Sequence, residues 1–264
     1  MLALGSHFQR TAVVLLCRSV ATNATMSHTG SVNATSNSNP PLRVIRGVVF
    51  DMDGTLTVPC IDFAEMRRRA GVTEGDILTV IDAWPAERRA KAYAAIAEIE
   101  AEALQNMKIM PGAAELCSLL DSAHVPRALV TRNVSSSVDF FHRTHFDLPP
   151  FFPALSREWT PYKPDPGSLL HIAEHWGVKG TELVMIGDSA KDDVVCANRA
   201  GAVSILLDID NTYTGLEDPK LAGELKPTFI VSSLNEAAEV LHTKVQLSPA
   251  RYPEAAAAGE DASH

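Results

Sequence analysis

The first fifty residues contain no aspartate or glutamate, although acidic residues outnumber basic ones 32 to 23 over the 264-residue chain. A segment without acids supplies no carboxylate to a metal or an acid–base site, so that chemistry must lie further on. The stretch carries Arg10, Arg18, Arg43 and Arg46, and Ser, Thr and Asn dominate residues 19–39. Acid-poor, Arg-bearing and hydroxyl-rich is the composition of an organellar transit peptide. Residues 1–43 are therefore expected to be a transit peptide or disordered arm, which points to a chloroplast or mitochondrion. A cytoplasmic protein with a disordered extension is the alternative. Secretion is a third reading, supported by sequons at Asn23 and Asn33, but the apolar run 12–17 is short and Arg18 closes it.

Cysteine is scarce as well. Cys17, Cys60, Cys117 and Cys196 show no Cys-x-x-Cys spacing, which argues against a disulfide framework and a zinc site. No apolar run approaches the length of a membrane span, so no membrane partner is expected. A net charge of −9 offers no basic field to attract nucleic acid. The 264 residues, 46% of them hydrophobic, suffice for one sizeable domain with an insertion.

What the chain does have is an apolar run, 48–50, ending in Asp51-Met52-Asp53-Gly54-Thr55. Successive strand side chains face opposite ways, so Asp51 and Asp53 share a face. Burying unpaired carboxylates is costly, so the strand must end at an open edge where a cation or ligand meets them. Residues 45–50 read as the first strand. Helices follow over 62–70, over 73–84 with Thr73 as N-cap, and over 86–107 after Pro85. From Pro111 strands and helices alternate: strands over 127–131, 151–155, 182–187, 202–207 and 228–231, with helices over 112–123, 135–145, 166–176, 192–200 and 235–244. Such alternation predicts an α/β fold, a parallel sheet covered on both faces. The expected domains are a core over 44–58 and 109–247, an all-helical insertion over 59–108, and a disordered tail over 248–264.

Ligands of open α/β sheets bind beyond the carboxyl ends of the strands. Asp51 and Asp53, Thr131, Lys163 and Asp188 all fall at those ends or in the loops after them. Three converging acids require a hard divalent cation, and Mg²⁺ is held by one or two carboxylates together with phosphate oxygens. A carboxylate can act as nucleophile, a second as acid and then base, and a hydroxyl with a lysine suits phosphoryl oxygens.

The set Asp51-Met52-Asp53-Gly54-Thr55-Leu56, Thr131, Lys163-Pro164-Asp165-Pro166 and Gly187-Asp188-Ser189 through Asp193 resembles the four motifs of the haloacid dehalogenase-like (HAD) hydrolase superfamily, in the family's order. The helical segment lies where that family places its small type 1 cap. The resemblance implies a Rossmann-like core, Mg²⁺, and hydrolysis of a small-molecule phosphate ester. Under it, Asp51 attacks phosphorus, and Asp53 protonates the leaving oxygen and then activates water. Thr131 and Lys163 hold the phosphoryl group, and Asn133 is a further candidate to reach the substrate. The metal set is Asp51, the backbone carbonyl of Asp53, Asp188, and Asp193 as supporting acid. Asp192 is read as a helix-start charge complementing the dipole. A phosphomutase with the same core is the alternative enzyme, and a non-catalytic phospho-acceptor or binding protein is the alternative of another class. A dehalogenase is disfavoured by Asp53, which that chemistry does not need.

Outside this set, the cap arginines, among them Arg67, read as a solvated face. His142, His145, His171 and His175 read as surface or packing residues, and Trp84 and Trp159 as packing.

Overall fold

The computed structural model describes residues 42–144 and 149–250. The transit peptide expected over 1–43 thus lies outside the described residues except at Leu42 and Arg43, and the expected tail lies outside them beyond Ala250. In chain order the elements are β1 (Arg43–Ile45), β2 (Gly47–Phe50), α1 (Phe63–Ala70), α2 (Ile77–Asp82), α3 (Ala86–Gln105), α4 (Ala113–Ser122), β3 (Arg127–Val130), α5 (Ser135–Thr144), β4 (Ala154–Leu155), α6 (Gly167–His175), β5 (Leu183–Gly187), α7 (Val195–Ala200), β6 (Val203–Leu207), β7 (Phe229–Val231), α8 (Leu234–Thr243) and β8 (Val245–Leu247).

Six strands form one parallel sheet in the order β4-β3-β2-β5-β6-β7. The alternation of strand side chains divides the core into two layers. Val48 and Phe50 of β2 face a cluster with Leu116 and Leu120 of α4, Phe141 of α5 and Leu241 of α8. Val49 faces the other way, against Leu169 and Ile172 of α6, Trp176, and Ala197 of α7. Gly47 is where the second layer comes closest. A Cβ built there would lie 2.3 Å from the Trp176 ring, so only glycine lets the indole lie on the strand.

The segment expected to be one strand is two. The break falls at Arg46, whose guanidinium donates to Glu182 Oε1 at 3.0 Å and to the Pro249 carbonyl at 2.7 Å. β1 thereby leaves the main sheet and pairs in parallel with β8, a strand absent from the sequence reading. The helical insertion accordingly follows the second strand, not the first. The strand expected over 151–155 is confined to Ala154–Leu155, at the sheet edge.

Helices α1–α3 build their own small core, with Met66, Ile77, Ile81, Ile96 and Ile99 together. The chain leaves for this insertion and returns side by side: Val58 N donates to Lys108 O, and Met110 N to Leu56 O, each at 2.9 Å. α1 is capped by Asp62, which accepts from Ala64 N and Glu65 N, and closes at Gly71 with φ 74°. The expected N-cap at Thr73 is not observed. Gly75 takes φ 84°, which interrupts a helix begun at 73, and Asp76 caps α2 by accepting from Thr79 N at 3.0 Å. The helix expected over 192–200 also starts differently. A turn of π-helix over Ala190–Val194, capped by Ser189, runs into α7. No described helix is long and apolar enough to cross a membrane.

Candidate active site

Because β3, β2 and β5 are adjacent, their carboxyl ends bring Thr131, Asp51 and Asp188 together. Lys163, from the loop after β4, reaches in beside them. With its side chain only 2% exposed, its Nζ donates to Asp51 Oδ1 at 2.6 Å and to Asp193 Oδ1 at 2.7 Å. Asp193 is buried and also accepts from Ser189 N at 3.0 Å. Asp51, Asp188 and Asp193 each offer an oxygen within 4.8 Å of the others.

Two glycines leave room for these carboxylates. A Cβ on Gly54, which also holds φ 81°, would fall 2.2 Å from Asp188 Oδ2, and one on Gly187 would fall 2.1 Å from Asp193 Oδ2. Three acids against one ammonium leave a local negative excess, and the donors are all hard oxygens. The set fits Mg²⁺, which takes carboxylate and phosphate oxygens. Asp53 does not join the carboxylate cluster.

The electrostatics agree. Burial raises the Asp51 carboxyl above the usual range despite the opposing Lys163 charge. Asp193 is pushed up to about 7, by burial first, with Lys163 opposing and Asp51 adding to it. Asp188 opens onto solvent yet is hemmed in by protein. Desolvation and the Asp51 and Asp193 charges push it up to about 8. Acids held this high mark a site short of positive charge. Burial works against the Lys163 ammonium, but Asp193 and Asp51 overcome it and hold it above its ordinary range.

Asp53 has different company. Asn133 Nδ2 donates to its Oδ2 at 3.0 Å, while Val134 N donates to Asn133 Oδ1 at 2.8 Å and fixes the amide's orientation. Burial raises the Asp53 carboxyl, the Asn133 bond opposing. Asn133, a candidate for phosphate, is thus bonded to the neighbouring acid in this structure. Thr131 is buried, and its Oγ1 accepts from Asn133 N at 3.0 Å.

Asp192 points elsewhere. It pairs with Arg132 Nη1 at 3.0 Å, and Arg132 Nη2 reaches Asp76 at 2.7 Å across to the insertion. Sequence reasoning missed Arg132, and it missed Arg157 and Glu100, which pair at 2.7 Å. All three line a cavity of about 480 Å³ that also contains the catalytic candidates Asp51 and Asp53. The signal available for Arg132 was its place between Thr131 and Asn133. Nothing local marked Glu100 among the charges of α3. Ile61, Phe63 and Leu78 give the cavity an apolar wall on the insertion side.

Of the cap arginines, Arg67 lines the cavity and donates to Gly75 O at 2.7 Å, while Arg68 and Arg69 pair with Glu65. Trp84 packs in the insertion's core under Arg88, and Trp159 lies against His171. Neither tryptophan lines the cavity. His142 stacks on Phe151 and His175 meets Phe152 edge-on, neither of them lining the cavity, and His145 lies outside the described residues.

A Rossmann-like α/β core with an acid-lined edge beneath an inserted helical cap defines a class of hydrolytic enzymes. The haloacid dehalogenase-like hydrolase family model matches residues 58–201. A haloacid dehalogenase-like hydrolase domain-containing protein of Arabidopsis thaliana is 45% identical over 82% of this chain and 91% of its own length. A phosphoglycolate phosphatase of Vibrio parahaemolyticus is 32% identical over half of this chain and 56% of its own length. A solved hydrolase from Pseudomonas syringae superposes with a TM-score of 0.61 at 18% identity, covering 76% of this chain and all of that one, and so shares the fold. The chain belongs to the haloacid dehalogenase-like hydrolases.

Proposed function

We propose that the protein is a Mg²⁺-dependent phosphatase that hydrolyses a small phosphorylated molecule through phosphorylated Asp51. The observation that carries this reading is the division of labour between the two motif acids: Asp51 is paired with Lys163, and Asp53 is held apart by Asn133. Lys163 opposes the burial that raises the Asp51 carboxyl, and by occupying Oδ1 it leaves the second oxygen to meet phosphorus. Asp53, raised by burial, holds a proton to a higher pH than a free carboxyl, as a leaving-group acid must. As the Asp51–phosphorus bond forms, the phosphorus–oxygen bond to the leaving group breaks and that oxygen takes the Asp53 proton. Water then attacks the same phosphorus, Asp53 accepts its proton, and Asp51 is released as a carboxylate with inorganic phosphate. Asp51, Asp188 and the Asp53 carbonyl are assigned to the metal, with Asp193 in support. Bound there, Mg²⁺ supplies positive charge to offset that of the phosphoryl oxygens. Thr131 and Lys163 are assigned to hold those oxygens.

The cavity volume and the Vibrio phosphoglycolate phosphatase support a small ester as substrate. Purified protein assayed against a panel of phosphate esters, with and without chelator, tests the reading. Free phosphate released only with metal and lost in Asp51→Asn supports it. Isomer formation without net phosphate release overturns it in favour of a mutase. The acid-free N-terminal composition supports an organellar location, tested by imaging the full chain against a form lacking residues 1–41.

A further inference from the structure

The insertion meets the loop after β4 through one buried ion pair. Glu100, on α3, is the single buried charged side chain among the described residues of the insertion. Its Oε1 and Oε2 accept from Arg157 Nη1 at 2.7 Å and Nη2 at 3.1 Å, the two-pronged geometry in which arginine is most directional. The Arg157 guanidinium also lies 5.9 Å from the Tyr93 ring of the same helix.

Arg157 is tied in turn to the acid. Its backbone N–H donates to the Asn133 carbonyl at 2.9 Å, and Asn133 Nδ2 donates to Asp53 Oδ2 at 3.0 Å. The path from helix α3 to the Asp53 carboxyl therefore runs through Glu100, Arg157 and Asn133, each link a hydrogen bond of ordinary length. Asp53 receives its described side-chain amide bond only at the end of that path. A buried ion pair seldom repays its desolvation in stability, and replacing one with apolar groups is often neutral. A pair kept between two packed parts has another use, because its geometry holds only while those parts stay in contact.

We propose that Glu100 and Arg157 are positioning residues that make the aim of Asp53 depend on the seating of the helical insertion. With the insertion seated, the forked pair fixes the 157 backbone, which fixes Asn133 and presents the Asp53 oxygen at the leaving group. With the insertion lifted, Asn133 loses that brace and Asp53 is less well aimed. Protonation of the leaving group is then efficient only in the covered cavity. This inference rests on the assignment of Asp53 as the leaving-group acid.

The test reads leaving-group dependence in the Mg²⁺-loaded protein. A dinitrophenyl phosphate expels its leaving group without help, whereas an alkyl phosphate needs the proton. The quantity measured is the ratio of kcat on the alkyl ester to kcat on the dinitrophenyl ester. Glu100→Gln, nearly isosteric, and Arg157→Gln are each expected to lower this ratio about tenfold, a fraction of what a general acid supplies. Arg157→Lys, which keeps the charge but not the fork, should restore it only in part. In an Asp53→Asn background, Glu100→Gln should cause no further change in the ratio, because the group it positions is gone. Equal losses on both esters, or a further loss in the Asp53→Asn background, would show a merely structural pair and overturn the proposal. If Asp53→Asn itself leaves the ratio unchanged, the assignment of the acid fails first. Thermal melting of each variant identifies any that fails to fold, and the double-variant comparison is then made with Arg157→Lys.

Discussion

Lys163 Nζ lies 2.7 Å from Asp193 Oδ1, and neither side chain is more than 2% exposed. With Asp51 on its other side, the ammonium is the one cation bonded to this acid cluster among the described residues. Removing a partner from a buried pair typically costs about 3–5 kcal/mol, because the remaining charge has no solvent. Lys163→Met is therefore expected to lower the melting temperature sharply and to cut turnover by at least about 10²-fold, the scale for losing a donor aimed at developing charge. Added Mg²⁺ should recover part of the stability but not the turnover. Calorimetry with and without metal, alongside phosphate release, checks both. A stable, active Lys163→Met protein contradicts the assignment.

Asp193 and Asp192 are adjacent in sequence and opposite in placement. Asp193→Asn should raise the Mg²⁺ concentration needed for half-maximal activity, and Asp192→Asn should move it far less, since Asp192 answers Arg132 instead. Gly187→Ala should behave like Asp193→Asn, because the new Cβ displaces the Asp193 carboxylate from 2.1 Å. Mg²⁺ titrations of the three variants decide this, and equal responses of the two asparagine variants count against it.

Gly47→Ala tests the packing of the core separately from the site. The methyl meets the Trp176 ring at 2.3 Å, so the tryptophan or the central strand must shift. Overpacking of this kind costs about 1–3 kcal/mol. Denaturant unfolding should show the loss, and an unchanged midpoint would show that the indole yields easily.

His142 gives the fold a pH dependence of known sign. Its Nε2 accepts from Phe151 N at 3.3 Å, which requires the neutral ring. Burial, with Arg127 adding to it, lowers its pKa from 6.5. The unfolded chain then takes up the proton first, so stability is full above 6.5 and is lost as pH falls from there through the folded value. Asp193 and Asp188, pushed up to about 7 and about 8, act with the opposite sign in the same range. The His142 contribution is therefore read as the difference between wild type and His142→Gln in urea unfolding between pH 5 and 8. An identical slope in the variant removes His142 as its source.

Much of this was legible in the sequence, for physical reasons. The apolar strands of the parallel sheet read as nearly continuous runs, and Asp51, Thr131 and Asp188 follow directly from where those runs stop. Short-range chemistry also read well at α1, where the helix expected over 62–70 is observed over Phe63–Ala70. The misses came from partners distant in sequence. Nothing within 45–50 shows that Arg46 turns out to meet Glu182 and Pro249, which splits the strand and frees β1 for β8. The N-cap at Thr73 lost to Asp76 because Gly75 adopts a positive φ. Arg157 and Glu100 were invisible as site residues, and Arg132 was marked only by its place between Thr131 and Asn133, since a charge on a helix or loop acquires its role only from the acid or base that folding brings to it.

The central claim is that Asp51 carries the phosphoryl group. An acyl-phosphate is reduced by borohydride, which would convert an aspartate phosphorylated at the moment of quenching into homoserine. The decisive measurement is peptide mass analysis after rapid quenching of the Mg²⁺-loaded protein during turnover. The account predicts homoserine at position 51 alone, dependent on both substrate and metal and absent in Asp51→Asn. Phosphate release with position 51 unmodified, in a protein whose Asp51→Asn variant still turns over, contradicts it.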